Sequence, residues 1–494
     1  MDHFSSLLRG TFKIDSLTAE ERLLYEQELR EVRRRLRKDW NVYGQTGKQR
    51  AATQRAITEL TRKHKTYEGQ DRPQGREDIV KRLRDIRSSQ LMDSLFPERN
   101  QPGVWKRLNE RLSSGRTVPQ EIDLNQFSFL DEPVKTMQGL RTIAEAEARQ
   151  HSAKINFNDE FCMDVVPFML LVECWQELLP IFQGGAMDHP MQKVLAAIGV
   201  EYALGISLQG VDDFDNVWAF PLNRRRRAGE TRSRKPYIDV PTRDIAADRF
   251  CDAIDEWLRR PEIGLQLTKK GLGWIKQLLG ELLENAERHS DGVRHDGSWA
   301  VSGFLARREL DGRDAFVAQL GIVSLGDTFT ESLARALPEQ KDGISRYIAG
   351  MRNLGCPQSD EALTTLAALQ DGVTCFAEAD KDNRGGMGLM DMLDLVNMLG
   401  TAWNPEHKSC VTIISGSACI KLSGQYIRGK VHDEDAGTRV QWFNSENSAK
   451  IPPDPNHVFD LPHRLPGTAI SIRFTLEPKA LKAVVNNGKE NNDD

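Results

Sequence analysis

Glu281, Asn285 and His289 stand at i, i+4 and i+8 in the run Leu278 to Ser290 (LLGELLENAERHS), so on a helix they line one side and face a common site. Trp274, Ile275, Leu278, Leu279 and Leu282 fall on the apolar side of the same helix. An Asn carbonyl oxygen is a hard ligand suited to Mg2+, which keeps several waters and takes few protein ligands. A carboxylate near it can orient or deprotonate a water for attack on a phosphate. Two further stretches add to this. Phe316 to Val323 reads as a buried strand that breaks at Ser324-Leu-Gly326-Asp327, where glycine at a strand end lets a flat ligand approach the backbone. Arg384-Gly385-Gly386-Met-Gly388-Leu389 opens a helix over 390–399, and a glycine-rich loop there presents amide donors backed by the positive end of the helix dipole.

Better-known motifs are missing. Gly44 to Gln49 (GQTGKQ) is too short for a phosphate-binding loop and has no hydroxyl residue after the lysine. The chain has no H-E-x-x-H and no G-x-S-x-G. What remains, in order, resembles the asparagine box and the two glycine boxes of the GHKL superfamily: gyrase, heat-shock chaperone ATPases, histidine kinases and mismatch-repair MutL. The ELLxNAxxH run, the RGGMGL loop with its helix, a strand ending in Ser415-Gly416, and a closing strand after Gly467-Thr468 carry that likeness. It covers about 255–478, close to half the chain.

The resemblance implies a Bergerat fold, an α/β sandwich that holds ATP and Mg2+ between a mixed sheet and helices. It implies that Asn285 binds the metal, that Glu281 is the general base, and that His289 also lines the site. Gly385, Gly386, Gly388 and Leu389 would cradle the phosphates, and Ser324, Gly326 and Thr468 would surround the adenine. Residues 335–384 would form a lid that moves on binding. One position departs from the pattern. The family's first glycine box begins with Asp, whose carboxylate accepts a bond from the adenine amino group; Ser324 offers a shorter, uncharged acceptor, and charge-assisted bonds are roughly twice as strong.

Three activities stay open on these residues. The first is an ATP-hydrolysing switch of conformation or assembly. The second is a protein kinase of the GHKL type acting on a partner. The third is a degenerate nucleotide sensor or interaction module, favoured by Ser324. Histidine autophosphorylation fits poorly, since His3, His64, His151 and His189 all lack the acidic and apolar sequence expected after a phosphoacceptor.

The elements that must position these residues divide the chain into four parts. Residues 1–150 read as a basic helical region, with Thr18 and Glu21 at capping-box spacing and Tyr25, Leu29, Val32 and Leu36 on one face. Residues 151–245 read as a small α/β unit resembling the STAS-like elements beside some bacterial GHKL ATPases. It has a strand at 154–158, helices at 165–179 and 191–204, a strand at 216–222, and an arginine-rich loop containing Arg224, Arg225, Arg226 and Arg227. Residues 246–480 hold the expected ATP-binding domain, and 481–494 read as a disordered tail. The fold class is therefore α/β.

Charge follows this division. Residues 1–90 carry a net +7 and residues 91–494 a net −12, within a total of −5. The basic helices suit a homo-oligomer or protein partner, and together with Arg224–Arg227 they suit nucleic acid. No apolar run approaches the length of a membrane span, the first residues lack a signal-peptide pattern, and seven scattered cysteines include no C-x-x-C pair, so the expectation is a cytoplasmic protein without a disulfide framework.

Overall fold

The structure is a computed structural model that describes residues 89–100, 120–149, 153–178, 182, 184–200, 217–225, 238–291, 297–310, 313–370, 373, 388–399, 409–427, 430–433, 438–476 and 481–483. The basic helices expected before residue 89 and the tail from 484 lie outside them.

The chain enters on a short helix, α1 (Gln90–Leu95), whose Ser89 caps the Met92 amide. After a 3-10 turn at Pro97–Asn100, a strand and a parallel pairing depart from the basic helical region expected over 1–150. Strand β1 (Gln120–Leu124) pairs in parallel with β2 (Ala153–Phe157), and helix α2 (Pro133–Ala148) crosses between them. Ile122 and Leu124 alternate with exposed acids, the pattern of a strand with one buried face. After helix α3 (Val166–Leu178), the chain runs beside β2 once more: Ile155 N donates to Gly184 O (3.0 Å) and Phe157 N to Ala186 O (2.8 Å). Helix α4 (His189–Ala197) completes this α/β layer.

The strand expected at 216–222 is longer, β3 (Val217–Arg225), and it enters the main sheet. Short β4 (Ile238–Asp239) flanks it, and helix α5 (Arg243–Leu258), capped by Thr242, follows. Strand β5 (Leu265–Leu267) leads into the long helix α6 (Lys269–His289). Thr268 accepts a bond from Gly271 N at its start, and Arg288 and His289 lie in its last turn, where the dipole favours positive charge. Ile275, Leu278, Leu279 and Leu282 are buried, as the periodicity predicts, while Trp274 is only partly buried and Leu283 joins the stripe; at roughly 1.5–3 kcal/mol for each large aliphatic side chain, this stripe fixes the helix on the sheet.

A hairpin of β6 (Trp299–Leu310) and β7 (Arg313–Ser324) comes next, then helices α7 (Phe329–Leu333), α8 (Pro338–Asn353), α9 (Asp360–Ala368) and α10 (Gly388–Leu399). Strand β8 (Cys410–Leu422), the pair β9 (Lys430–Asp433) and β10 (Thr438–Val440), the long β11 (Val458–Thr475) and β12 (Leu481–Ala483), which pairs with β5, end the described chain.

Six strands form one mixed sheet in the order β4-β3-β6-β7-β11-β8, antiparallel except for β3 and β4. One face buries Leu320, Ile322, Ile470 and Ile472 with residues of α5, α6, α9 and α10. The other buries Phe304, Val323, Leu465 and Ala469 with α1, α2, α3 and the β1–β2 layer. Segments 151–245 and 246–480 therefore share a sheet and a core. Gly321 marks how closely the layers meet: a Cβ there would lie 2.6 Å from Val165 Cγ1 and 2.7 Å from Val166 Cγ2. Among the described residues, no helix is long and apolar enough to cross a membrane.

Candidate functional site

The site grows from the end of α6. Glu281, Asn285 and His289 are all half-buried on one side of that helix. The imidazole Nδ1 of His289 pairs with Ser332 Oγ (3.2 Å) on α7. Asn285, about 6 Å back along the axis, makes no side-chain hydrogen bond among the described residues, and Glu281 lies about 12 Å back.

The turn after β7 docks on the same helix end. Asp327 N donates to Ser290 O (2.9 Å), and a Cβ on Gly326 would fall 2.3 Å from that carbonyl, so glycine is required by the close approach. Ser324 is 3% exposed, and its hydroxyl donates to Ser298 O (2.8 Å), tying the end of β7 to the start of β6. The Asp327 carboxylate pairs with Arg335 (2.5 Å).

Across the sheet, Ser324 is the register partner of Thr468, and Thr468 in turn of Ser415. The Thr468 and Ser415 hydroxyls are 3.1 Å apart, and Ser415 Oγ accepts from Phe329 N (2.9 Å), the first amide of α7. That helix is fixed by a capping box between Thr328 and Glu331. Burial would raise the Glu331 carboxyl, but the bonds from Thr328 and the charge of Arg464 outweigh it and hold the group below its ordinary value. Arg464 also reaches Glu361 on α9 (3.0 Å), which accepts from Ser417 N (3.0 Å) and Ser417 Oγ (2.6 Å).

Thus His289, Ser324, Gly326 and Thr468 gather at one end of the sheet. Asn285 and Glu281 lead away from that end along α6. Gly388 and Leu389 begin α10, a twelve-residue helix packed along α6, while Gly385 and Gly386 lie outside the described residues. Sequence reasoning missed Ser290, Ser298, Phe329 and Ser332 as parts of the site. They act mostly through backbone groups or across helices, and no spacing rule reveals that.

Two expectations need correction. Of the expected lid, α9 is built into the α layer against β8, with Ala362, Leu363 and Leu366 fully buried, so 360–368 is a fixed wall and not a cover. Arg224 and Arg225 are not loop residues: they end β3, with Arg224 near Glu173 (3.9 Å) and Arg225 on Glu287 (3.4 Å) and Gly297 O (3.1 Å). Residues 226–237 lie outside the described residues.

Among the described residues, no group of three or more His, Cys, Asp or Glu side chains is placed to hold a metal. An Asn-held Mg2+ with its own waters needs no such group. Compared with protein-family models, with curated proteins and with solved structures, the chain has no significant match.

Proposed function

We propose that the chain is an ATP-binding protein of the GHKL kind, a Mg2+-dependent ATPase whose nucleotide cycle switches conformation or assembly. One observation carries this reading. The end of the asparagine-box helix at His289, the start of the first glycine-box turn at Ser324 and the closing strand at Thr468, far apart in sequence, meet at one end of a sheet whose α layer contains α6 and α10.

The donor set fits the ligand. Asn285 has a half-buried amide side chain without a protein partner among the described residues, so its carbonyl oxygen is open to the ligand role. The start of α10 at Gly388 supplies amide donors and a helix dipole for phosphate. Bound Mg2+ would neutralise phosphate charge and hold water. Asn285 is the residue to hold it, Glu281 to accept a proton from the attacking water, and Thr468 and Ser324 to border the base. The Ser332 contact fixes the ring of His289.

A second reading, a nucleotide sensor without turnover, is favoured by Ser324. Its buried hydroxyl already serves Ser298 O, and the nearby Asp327 is paired with Arg335, which leaves the base end without a committed carboxylate. ATP binding and phosphate release by the full chain, beside Glu281→Ala and Asn285→Ala, separate the two. The ATPase reading requires Asn285→Ala to weaken Mg-ATP binding, and Glu281→Ala to keep binding but lose turnover by about 100-fold or more. Binding without any phosphate release by the unmodified chain would support the sensor. Failure to bind ATP at all would refute both, and transfer of label to protein without free phosphate would indicate a kinase.

A further inference from the structure

Strand β11 belongs to both layers of the molecule. Its even-numbered residues Thr468, Ile470 and Ile472 face the α layer and the candidate site. Its odd-numbered residues Ala469, Ser471 and Arg473 face the upstream α/β layer. That layer holds the strand with two carboxylates. Asp164, 1% exposed just before α3, accepts from Ser471 Oγ (3.0 Å) and from two amides of its own layer, Phe129 N (2.8 Å) and Val166 N (3.0 Å). Asp131, in the turn before α2, accepts both terminal nitrogens of Arg473 (3.3 and 3.4 Å), and its backbone oxygen accepts from Lys421 Nζ on β8 (3.2 Å).

A carboxylate without exposure is retained only where it is fully bonded, and here one of its three bonds crosses to the other layer. Ser471 sits three residues after Thr468 on the same strand. A displacement of β11 at the site is therefore carried to the Ser471 to Asp164 contact through a close-packed interior of low compressibility.

We propose that the upstream layer regulates the candidate site through β11, with the Asp164 to Ser471 bond as the latch and Ser471 as a positioning residue that touches no ligand. The proposal rests on the nucleotide-binding reading above. Coupling between two sites is reciprocal: whatever the latch does to nucleotide affinity, nucleotide does to the latch by the same factor.

The test uses the full chain and a non-hydrolysable ATP analogue with Mg2+. Analogue binding is measured by calorimetry, and hydrogen exchange is followed at the Phe129 and Val166 amides. In the unmodified chain the analogue should slow exchange at both amides by about fivefold or more. Ser471→Ala should abolish that slowing and weaken the analogue by a similar factor, whereas Ser471→Thr, which keeps the hydroxyl, should retain both. If Ser471→Ala does not fold, Ser471→Cys, whose thiol is only a weak donor and which leaves the Phe129 and Val166 acceptor in place, is read the same way. Binding of the analogue with no change at Phe129 and Val166, or undiminished affinity in Ser471→Ala, overturns the latch and leaves the nucleotide reading standing. No binding by the unmodified chain overturns both.

Discussion

Gly467 is the sharpest point at which to strike the site. Its φ of +121° lies in a region that side chains avoid, and a Cβ there would sit 2.1 Å from Ser324 O, 2.7 Å from Gly326 N and 2.9 Å from Leu325 Cα. All three atoms belong to the backbone of the turn after β7, so no rotamer change relieves the clash. Ordinary contact at about 3.5 Å requires the turn to move by roughly 1 Å or more. In Gly467→Ala the backbone conformation costs about 1–3 kcal/mol, and the overpacking a further 1–3 kcal/mol or so. Gly355→Ala is the control. Its φ is +71°, nothing lies within 4 Å of the added carbon, and only the left-handed conformation, about 1–2 kcal/mol, is at issue. Urea unfolding of both variants, with hydrogen exchange at the Asp327 amide, gives the comparison. Gly467→Ala should lose at least about 1 kcal/mol more than the control and should speed exchange at Asp327, because the turn must leave Ser290. Equal losses with unchanged exchange would show that the turn does not pack between α6 and β11 as described.

Burial pushes the Asp164 carboxyl up to about 6; hydrogen bonds from Val166 N, Phe129 N and Ser471 oppose this and the charge of Asp131 adds to it, with Cys162, Cys410 and Arg473 as the other titratable or charged groups nearby. Because the folded value exceeds the unfolded one, the group's contribution is fully present below about pH 4 and is lost as pH rises through about 6, a difference on the order of 3 kcal/mol. Melting curves from pH 4 to 7 should show this slope in the unmodified chain and not in Asp164→Asn; equal slopes would contradict it. At the surface of the site, Arg464 bridges Glu331 and Glu361 with all three side chains partly open to water, so Arg464→Ala should cost no more than about 1 kcal/mol, less still at high salt. A double-mutant cycle with Glu331→Gln measures that coupling, and a value above about 2 kcal/mol would mean the bridge is far less solvated than its exposure indicates.

Local patterns were legible where one helix or strand carries its own signal. The stripe of α6, the break of β7 at Ser324 and the start of α10 are each set by neighbours within a turn or two. Long-range pairing was not. Pro462 and Pro466 argue against a strand there, yet β11 runs through both, because its register with β8 shifts at Asp460/Leu465 and again at Leu465/Thr468, where a missing amide donor is tolerated. Strand β1 is short and acidic, and only its pairing with β2 makes it a strand. The likeness of Ser324 to an adenine-binding residue was a reading of position; the bond of its hydroxyl to Ser298 O depends on how the β6–β7 hairpin closes, which no spacing encodes.

The placement of β3 bears on how such a chain can vary. It precedes residues 246–480 in sequence, yet pairs along β6, while the upstream helices cover Phe304 and Val323. A cut between residues 245 and 246 would strip β6 of its neighbour, leaving an open row of backbone donors and acceptors beside an uncovered apolar face. The two halves are therefore not interchangeable beads on a string. An upstream half borrowed from elsewhere would have to bring a strand that fits β6, and acids that reach Ser471 and Arg473, before the sheet could close.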